Sequence, residues 1–237
     1  METTKKETRL RVVVLKADRL YGDMIRRQIV DLWPRAEVEV FQRGLDALQS
    51  MQSAEPDLFI TGVMVDDMDG LEHIEAFQET LLPILIVTSR ADPRTFCMLR
   101  ELRYDGIYDA VAEGGENLPV AIEQVLQRRP YVSPSIWPQL NLPKKITLDS
   151  LTPREQEVLA AIGDGSDDSD AAVRLGMSQN TVGTHRKAIM RKLKIHHRGQ
   201  LMLYASQFGY VRYTPTAVYR PGFQRRLRGG PSTPPSQ

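Results

Sequence analysis

Cysteine is almost missing from this chain: Cys97 is the only one among 237 residues. That excludes an internal disulfide framework and any cysteine-based zinc site, and it fits a reducing cytoplasm. Absent too is any apolar run near the ~20 residues that a membrane span needs. The N-terminal METTKKETRLR is charged, with no hydrophobic stretch of signal-peptide length after it, so a cytoplasmic protein is expected. There is no internal repeat. The four histidines lack a catalytic pattern: His196 and His197 leave a helix end together, and His73 is placed on a surface helix. None stands beside a Ser, Cys or carboxylate in a way that suggests chemistry. No enzymatic activity, cofactor or metal is expected.

What the chain does have is an uneven charge. Residues 1–143 carry 16 Lys+Arg and 23 Asp+Glu, a balance of 16 − 23 = −7. Residues 144–237 carry 15 and 7, a balance of +8. An acidic front half joined to a basic back half suggests a control domain coupled to a polyanion-binding one.

The front half alternates strand-like and helix-like patterns at the spacing of βα units. RVVVL (11–15), AEVEVF (36–41), LFITGVM (58–64), PILIVTS (83–89) and GIYDAV (106–111) read as strands. Helical periods fall at 20–32, 45–51, 71–77, 95–103 and 118–129. Five strands alternating with five helices imply a doubly wound parallel sheet with ligands at the strands' C-terminal ends. This α/β domain is expected over 1–129. Residues 130–149 begin with four prolines in PYVSPSIWPQLNLPKK and read as a linker that packs partly through Tyr131 and Trp137. The tail, 214–237, is Pro/Gly-rich and basic, and it is expected to be disordered.

A compact helical segment is expected at ~150–210. Thr152, Pro153 and Glu155 form an N-cap, first-turn proline and capping-box signal. A short helix at 167–175, the turn Gly176–Ser178 and a basic amphipathic helix at 179–195 follow. The last buries Val182, Ile189 and Leu193 and turns Asn180, Gly183, Thr184, Lys187 and Arg191 outward. This is a helix-turn-helix, whose final helix can lie in a DNA major groove. The plainer alternative is a helical bundle with a solvated basic face.

Residues 150–212 resemble the DNA-binding domain of LuxR/FixJ-type transcription regulators. The family's LTPRE-x-EVL pattern is matched from Leu151 to Leu159, and its S-x-x-TV-x-x-H-x-x-x-I-x-x-KL pattern from Ser178 to Leu193. The resemblance implies an all-α domain of four helices over 150–213, with a recognition helix at 179–194. Asn180, Thr181, Thr184, Lys187 and Arg191 would lie at the DNA, with Thr184 and Lys187 at base edges, and Arg186 and Lys192 would hold phosphates. A further helix would dimerise through Gln200, Leu201 and Tyr204. Two departures remove positive charge: Gly183 stands where the family commonly has lysine, and DDSD (167–170) where it has a basic or amide residue.

With such a module behind it, the front domain resembles the receiver domain of response regulators. The receiver pattern D-x-x-M-P-x-M-D-G, counted back from Asp69 and Gly70, puts its phosphate-accepting aspartate at Gly62. Its Mg²⁺-binding acidic pair falls on Lys16 and Ala17, with Asp18 one place beyond, and its lysine falls on Ala110, or on Asp109 after a slip. Thr88 alone matches, as the switch hydroxyl. The resemblance therefore implies a degenerate receiver that takes no aspartyl phosphate. Asp66, Asp67 and Asp69 are either a cation-attracting cluster or a solvated loop.

Together these readings imply a DNA-binding transcription regulator. It acts as a homodimer on double-stranded DNA, with a protein or small-molecule input at the front domain. The rivals are an adaptor that binds other proteins through the front domain without operator binding, and a regulator phosphorylated elsewhere, at Asp18 or Asp66.

Overall fold

The β-branched run at 11–15 forms an interior strand of the front domain's sheet, with Val12 to Leu15 buried. The computed structural model describes residues 9–65, 67–68, 71–89, 92–140, 151–213 and 217–223. Strands β1 (Arg11–Leu15), β2 (Glu37–Phe41), β3 (Leu58–Thr61), β4 (Ile84–Thr88) and β5 (Gly106–Asp109) alternate with helices. The helices are α1 (Arg19–Leu32), α2 (Gly44–Ser53), α3 (Glu72–Glu75), α4 (Pro93–Leu99) and α5 (Leu118–Leu126). With a sixth strand, β6 (Tyr131–Val132), the sheet is parallel throughout, in the order β2-β1-β3-β4-β5-β6. Val14 stands opposite both Val40 and Ile60, and Ile60 opposite Leu85. On one face Val12, Val14, Leu58, Ile60, Leu85 and Val87 pack with Ile25 and Ile29 of α1 and Ala121, Ile122 and Val125 of α5. Strand alternation sends Val13 and Phe59 to the other face, where Phe59 meets the Phe77 ring at 5.8 Å.

The sixth strand is a correction to the expected five. β6 (Tyr131–Val132) lies inside the stretch read as a linker and pairs with β5, Gly106 opposite Tyr131. Proline signals a break, but Pro130 and Pro134 only bracket a two-residue edge strand, a position that tolerates them. Ser133 locks it: its N–H donates to the Ile107 carbonyl (3.0 Å) and its Oγ accepts from the Asp109 N–H (2.7 Å). Tyr131 packs on the Tyr108 ring as expected, whereas Trp137, in the short helix α6 (Trp137–Leu140), is exposed. The rest of the expected linker, 141–149, lies outside the described residues.

Contacts group the chain into two units, residues 1–91 with 98–141 and residues 92–97 with 142–237. In the second, α7 (Pro153–Ile162), α8 (Asp168–Leu175), α9 (Gln179–Leu193) and α10 (Arg198–Gln207) are each started or stopped by a readable signal. Thr152 and Glu155 complete a capping box, Asp167 caps α8 and Ser178 caps α9. Gly176 ends α8 at φ 63°, the left-handed conformation that favours glycine at a tight inter-helix turn. Val158, Leu159, Ile162, Val182, Ile189 and Leu201 share one core.

That core takes in more of the chain than expected. β7 (Arg212–Tyr213) and β8 (Val218–Tyr219) form an antiparallel hairpin, and 217–223 belong to the stretch read as a disordered tail. Arg220 donates to the Ala160 carbonyl (2.9 Å) and pairs with Asp164, and Phe223 stacks with Tyr210 at 6.2 Å. Basic Pro/Gly-rich composition hid Val218, which packs against the core, and Phe223, which is buried in it. Residues 214–216 and 224–237 lie outside the described residues. No helix among the described residues is long and apolar enough to cross a membrane.

Candidate nucleic-acid interface and sheet crevice

In the front unit the strand order reverses between β1 and β3, and a doubly wound sheet opens its ligand crevice at such a reversal. Lys16 follows β1, Gly62 follows β3, Thr88 ends β4 and Ala110 follows β5, so four of the expected positions sit at the C-terminal ends of these strands. Ala17, beside them in sequence, is exposed. Thr88 is buried, and its carbonyl accepts from the Ala110 N–H at 2.9 Å.

Lys16 is the unusual member. Its side chain is only 8% exposed, its Nζ donates to the Val87 carbonyl at 2.8 Å, and the ammonium lies 4.5 Å from the centre of the Tyr21 ring. A Cβ placed on Gly62 would stand 3.3 Å from this Nζ and 3.7 Å from Cδ. The lysine thus lines the space into which a side chain at 62 would project. Burial lowers its pKa from 10.5 to about 8, against the opposing charge of Asp18.

Beneath Gly62 lies a residue that sequence reasoning misplaced. His73 is fully buried, not on a surface, and its Nε2–H donates to the Gly62 carbonyl at 2.9 Å. Its Nδ1 is buried with no hydrogen-bond partner among the described residues. Burial pushes the imidazole down to about 4, with the Gly62 bond and Asp67 working the other way. The signal was present: His73, Ile74 and Phe77 share one helical stripe, and Ile74 is core.

Asp67 has a use that neither reading of the acidic loop foresaw. Its Oδ1 accepts from the Gly44 N–H (2.7 Å) and its Oδ2 from the Leu45 N–H (3.0 Å), capping α2 from across the chain. Asp66 and Asp69 lie outside the described residues. Asp18 caps α1 through Tyr21 N–H (3.2 Å), and Asp109 accepts from Val111, Ala112 and Ser135. Among the described residues, no three His, Cys, Asp or Glu are grouped as metal ligands would be.

In the second unit, α9 presents Asn180, Thr181, Thr184, Lys187 and Arg191 to solvent. Spacings of four, three and four residues from Asn180 to Arg191 keep them on one face, opposite buried Val182 and Ile189. Thr184 Oγ1 donates to the Asn180 carbonyl (2.9 Å), and Thr181 N–H donates to the Ser178 hydroxyl (3.1 Å). Arg186 and Lys192 are placed differently from the other basic residues. Arg186 pairs with Asp168 at 2.8 Å, and Lys192 with Glu155 at 2.6 Å. Burial works to raise the Glu155 carboxyl, but the Lys192 and Thr152 bonds outweigh it and the net shift is downward. Lys192 therefore braces the capping box of α7.

On α10, Gln200 is exposed, with its Oε1 accepting from His196 N–H at 3.1 Å. Leu201 is 1% exposed and belongs to the core, and Tyr204 is half-buried against Phe208, ring centres 4.2 Å apart. The exposed apolar residue of this helix is Leu203, at 57%. Sequence reasoning passed over it, although it stands three residues from Gln200 on the same face.

Residues 149–205 match the luxR family of bacterial regulatory proteins. The second unit is a LuxR-type helix-turn-helix domain. Over 173 residues the chain is 24% identical to the response regulator protein VraR of Staphylococcus epidermidis, covering 71% of this chain and 82% of VraR. It is 26% identical over 169 residues to the transcriptional regulatory protein DesR of Bacillus subtilis, covering 71% and 82%. Among solved structures it is similar to RcsB of Salmonella enterica serovar Typhimurium, bound to promoter DNA in the presence of phosphomimetic BeF3⁻. That match has a TM-score of 0.57 and 19% identity over 83% of this chain and 98% of RcsB. The chain has the fold of a two-domain LuxR-type response regulator.

Proposed function

We propose that this chain is a sequence-specific DNA-binding transcription regulator that acts as a homodimer and is controlled independently of aspartyl phosphorylation. The observation that carries the DNA reading is the outward face of α9, where Asn180, Thr184, Lys187 and Arg191 stand exposed in a LuxR-type domain. A helix so placed reads base edges while flanking cations hold phosphates. Solved RcsB dimers are bound to DNA, which supports two copies presenting half-sites about one helical turn apart. Leu203 and Gln200 offer the exposed face of α10 to that second copy.

Selection from randomised duplexes with the purified chain is expected to yield an enriched sequence. Lys187→Ala is then expected to cost that sequence about 1–3 kcal/mol of binding. A chain with no preference over random duplex would defeat the DNA reading and favour the adaptor. That second reading draws on the Arg186–Asp168 and Lys192–Glu155 pairs, which withdraw two cations from the DNA side.

Phosphorylation independence rests on chemistry. An acyl phosphate needs a carboxylate; Gly62 has none, and the Lys16 ammonium already supplies a positive charge beside it. Asp18 and Asp109 are engaged in local caps and turns. Incubation with a small phosphodonor and Mg²⁺ is expected to leave the intact mass unchanged. An alkali-labile adduct of one phosphoryl group would overturn this part of the reading without touching the DNA part.

A further inference from the structure

The two departures from the LuxR pattern, Gly183 and the DDSD segment, meet in space. Asp168 opens α8 and leans on α9: its Oδ2 is 2.8 Å from Arg186 Nη2 and would lie 3.1 Å from a Cβ at position 183. Among the described residues, and apart from the backbone of α9 itself, nothing else is within 4 Å of that Cβ, so the carboxylate is what a larger residue at 183 would crowd. The other oxygen, Oδ1, is buried with no hydrogen-bond partner among the described residues. One half of the carboxylate is thus wholly committed to Arg186, and the other half has given up water for nothing in return. Buried polar atoms are ordinarily hydrogen-bonded, so an orphaned carboxylate oxygen calls for an explanation.

We propose that Asp168 is an affinity-limiting residue of the DNA interface, which withholds Arg186 from the phosphate backbone and is accommodated by glycine at 183. This inference rests on the DNA-binding reading above. Non-specific affinity for DNA comes from cations that displace counterions at phosphates, and each such contact steepens the salt dependence of binding. A guanidinium already neutralised by a carboxylate of its own chain at 2.8 Å releases no counterion when DNA arrives. The carboxylate also sets a negative charge at the start of α8, where an incoming phosphate would meet repulsion. Discrimination then depends more on Asn180, Thr184 and Lys187, because general attraction is held down while base contacts are not.

The test measures binding of the full chain to a random-sequence duplex and to its selected site across a salt series. Asp168→Asn keeps the shape and removes the charge. It is expected to tighten random-duplex binding several-fold at low salt and to steepen the slope of log K against log salt by ~0.9, one added phosphate contact. Arg186→Ala is expected to change the wild type little and to abolish the gain in the Asp168→Asn background. Gly183→Ala, which alters no charge but pushes on the carboxylate, is expected to act in the same direction more weakly. It decides the matter alone if thermal melts show that Asp168→Asn has not folded. An unchanged affinity and slope in these variants, or an Arg186→Ala loss as large in the wild type as in Asp168→Asn, would overturn the proposal. If the wild type binds its selected site and the variants do not respond, only this inference falls. If no form binds any duplex, the DNA-binding reading falls with it.

Discussion

Replacing Lys16 with methionine is expected to raise the stability of the parallel-sheet unit by about 2 kcal/mol at pH 7. Removing a hydrogen-bonded lysine ordinarily destabilises, so the sign is informative. The ammonium is buried at the strand ends, and burial lowers its pKa from 10.5 to about 8. That difference is worth about 3 kcal/mol, since each pH unit is worth ~1.4 kcal/mol. Against it stands the Val87 carbonyl, which loses a partner at a cost of about 1 kcal/mol. Methionine of similar length fills the space and carries no charge.

The pH dependence gives the same result a second signature. Below about 8 both folded and unfolded chains hold the Lys16 proton, and the burial cost is fully present. Between about 8 and 10.5 the unfolded chain binds a proton that the folded one has released, so stability rises with pH through that window. Tyrosines also titrate near its upper end. Denaturant melts should therefore be compared as wild type minus Lys16→Met, a difference expected to rise by about 3 kcal/mol across the window. A destabilised variant with parallel pH curves would show that Lys16 is a stabilising cation.

The second large effect lies on the acid side. His73 is buried neutral, with its pKa pushed down to about 4. Between 6.5 and about 4 the unfolded chain binds a proton that the folded chain refuses, so stability falls as pH falls through that window. The expected loss is about 3 kcal/mol. His73→Gln keeps an N–H for the Gly62 carbonyl and cannot titrate there. It is expected to lose that much less stability between pH 6.5 and 4 than the wild type, in paired denaturant melts. Equal losses would place the acid sensitivity elsewhere, in the carboxylates.

Both predictions concern residues whose burial the sequence could show only in part. Lys16 stood out because it follows a β-branched strand, at a position where the receiver pattern has an acidic residue. That it turns inward to Val87 depends on β4, seventy-one residues away, and no local pattern encodes it. His73 was legible in principle, on the stripe with Ile74, but histidine in an acidic helix looks solvated. Asp67 shows the same limit: a capping aspartate is recognised when it precedes its helix, and this one follows α2 by 14 residues after Ser53. The parallel sheet and the first three helices of the second unit were readable, because period and caps are local properties; the fourth, without a side-chain cap, came only from the family resemblance. The pairs that occupy Arg186 and Lys192 were not, since each joins two helices.

The luxR match ends at residue 205, yet the core it belongs to does not. Tyr210, Val211, Arg220 and Phe223, all beyond that edge, are buried against the same helices. A chain cut at residue 205 would keep α9 but lose the Tyr210–Phe223 stack that belongs to the same core. The helix-turn-helix core is thus closed by a stretch of chain that lies beyond the matched residues.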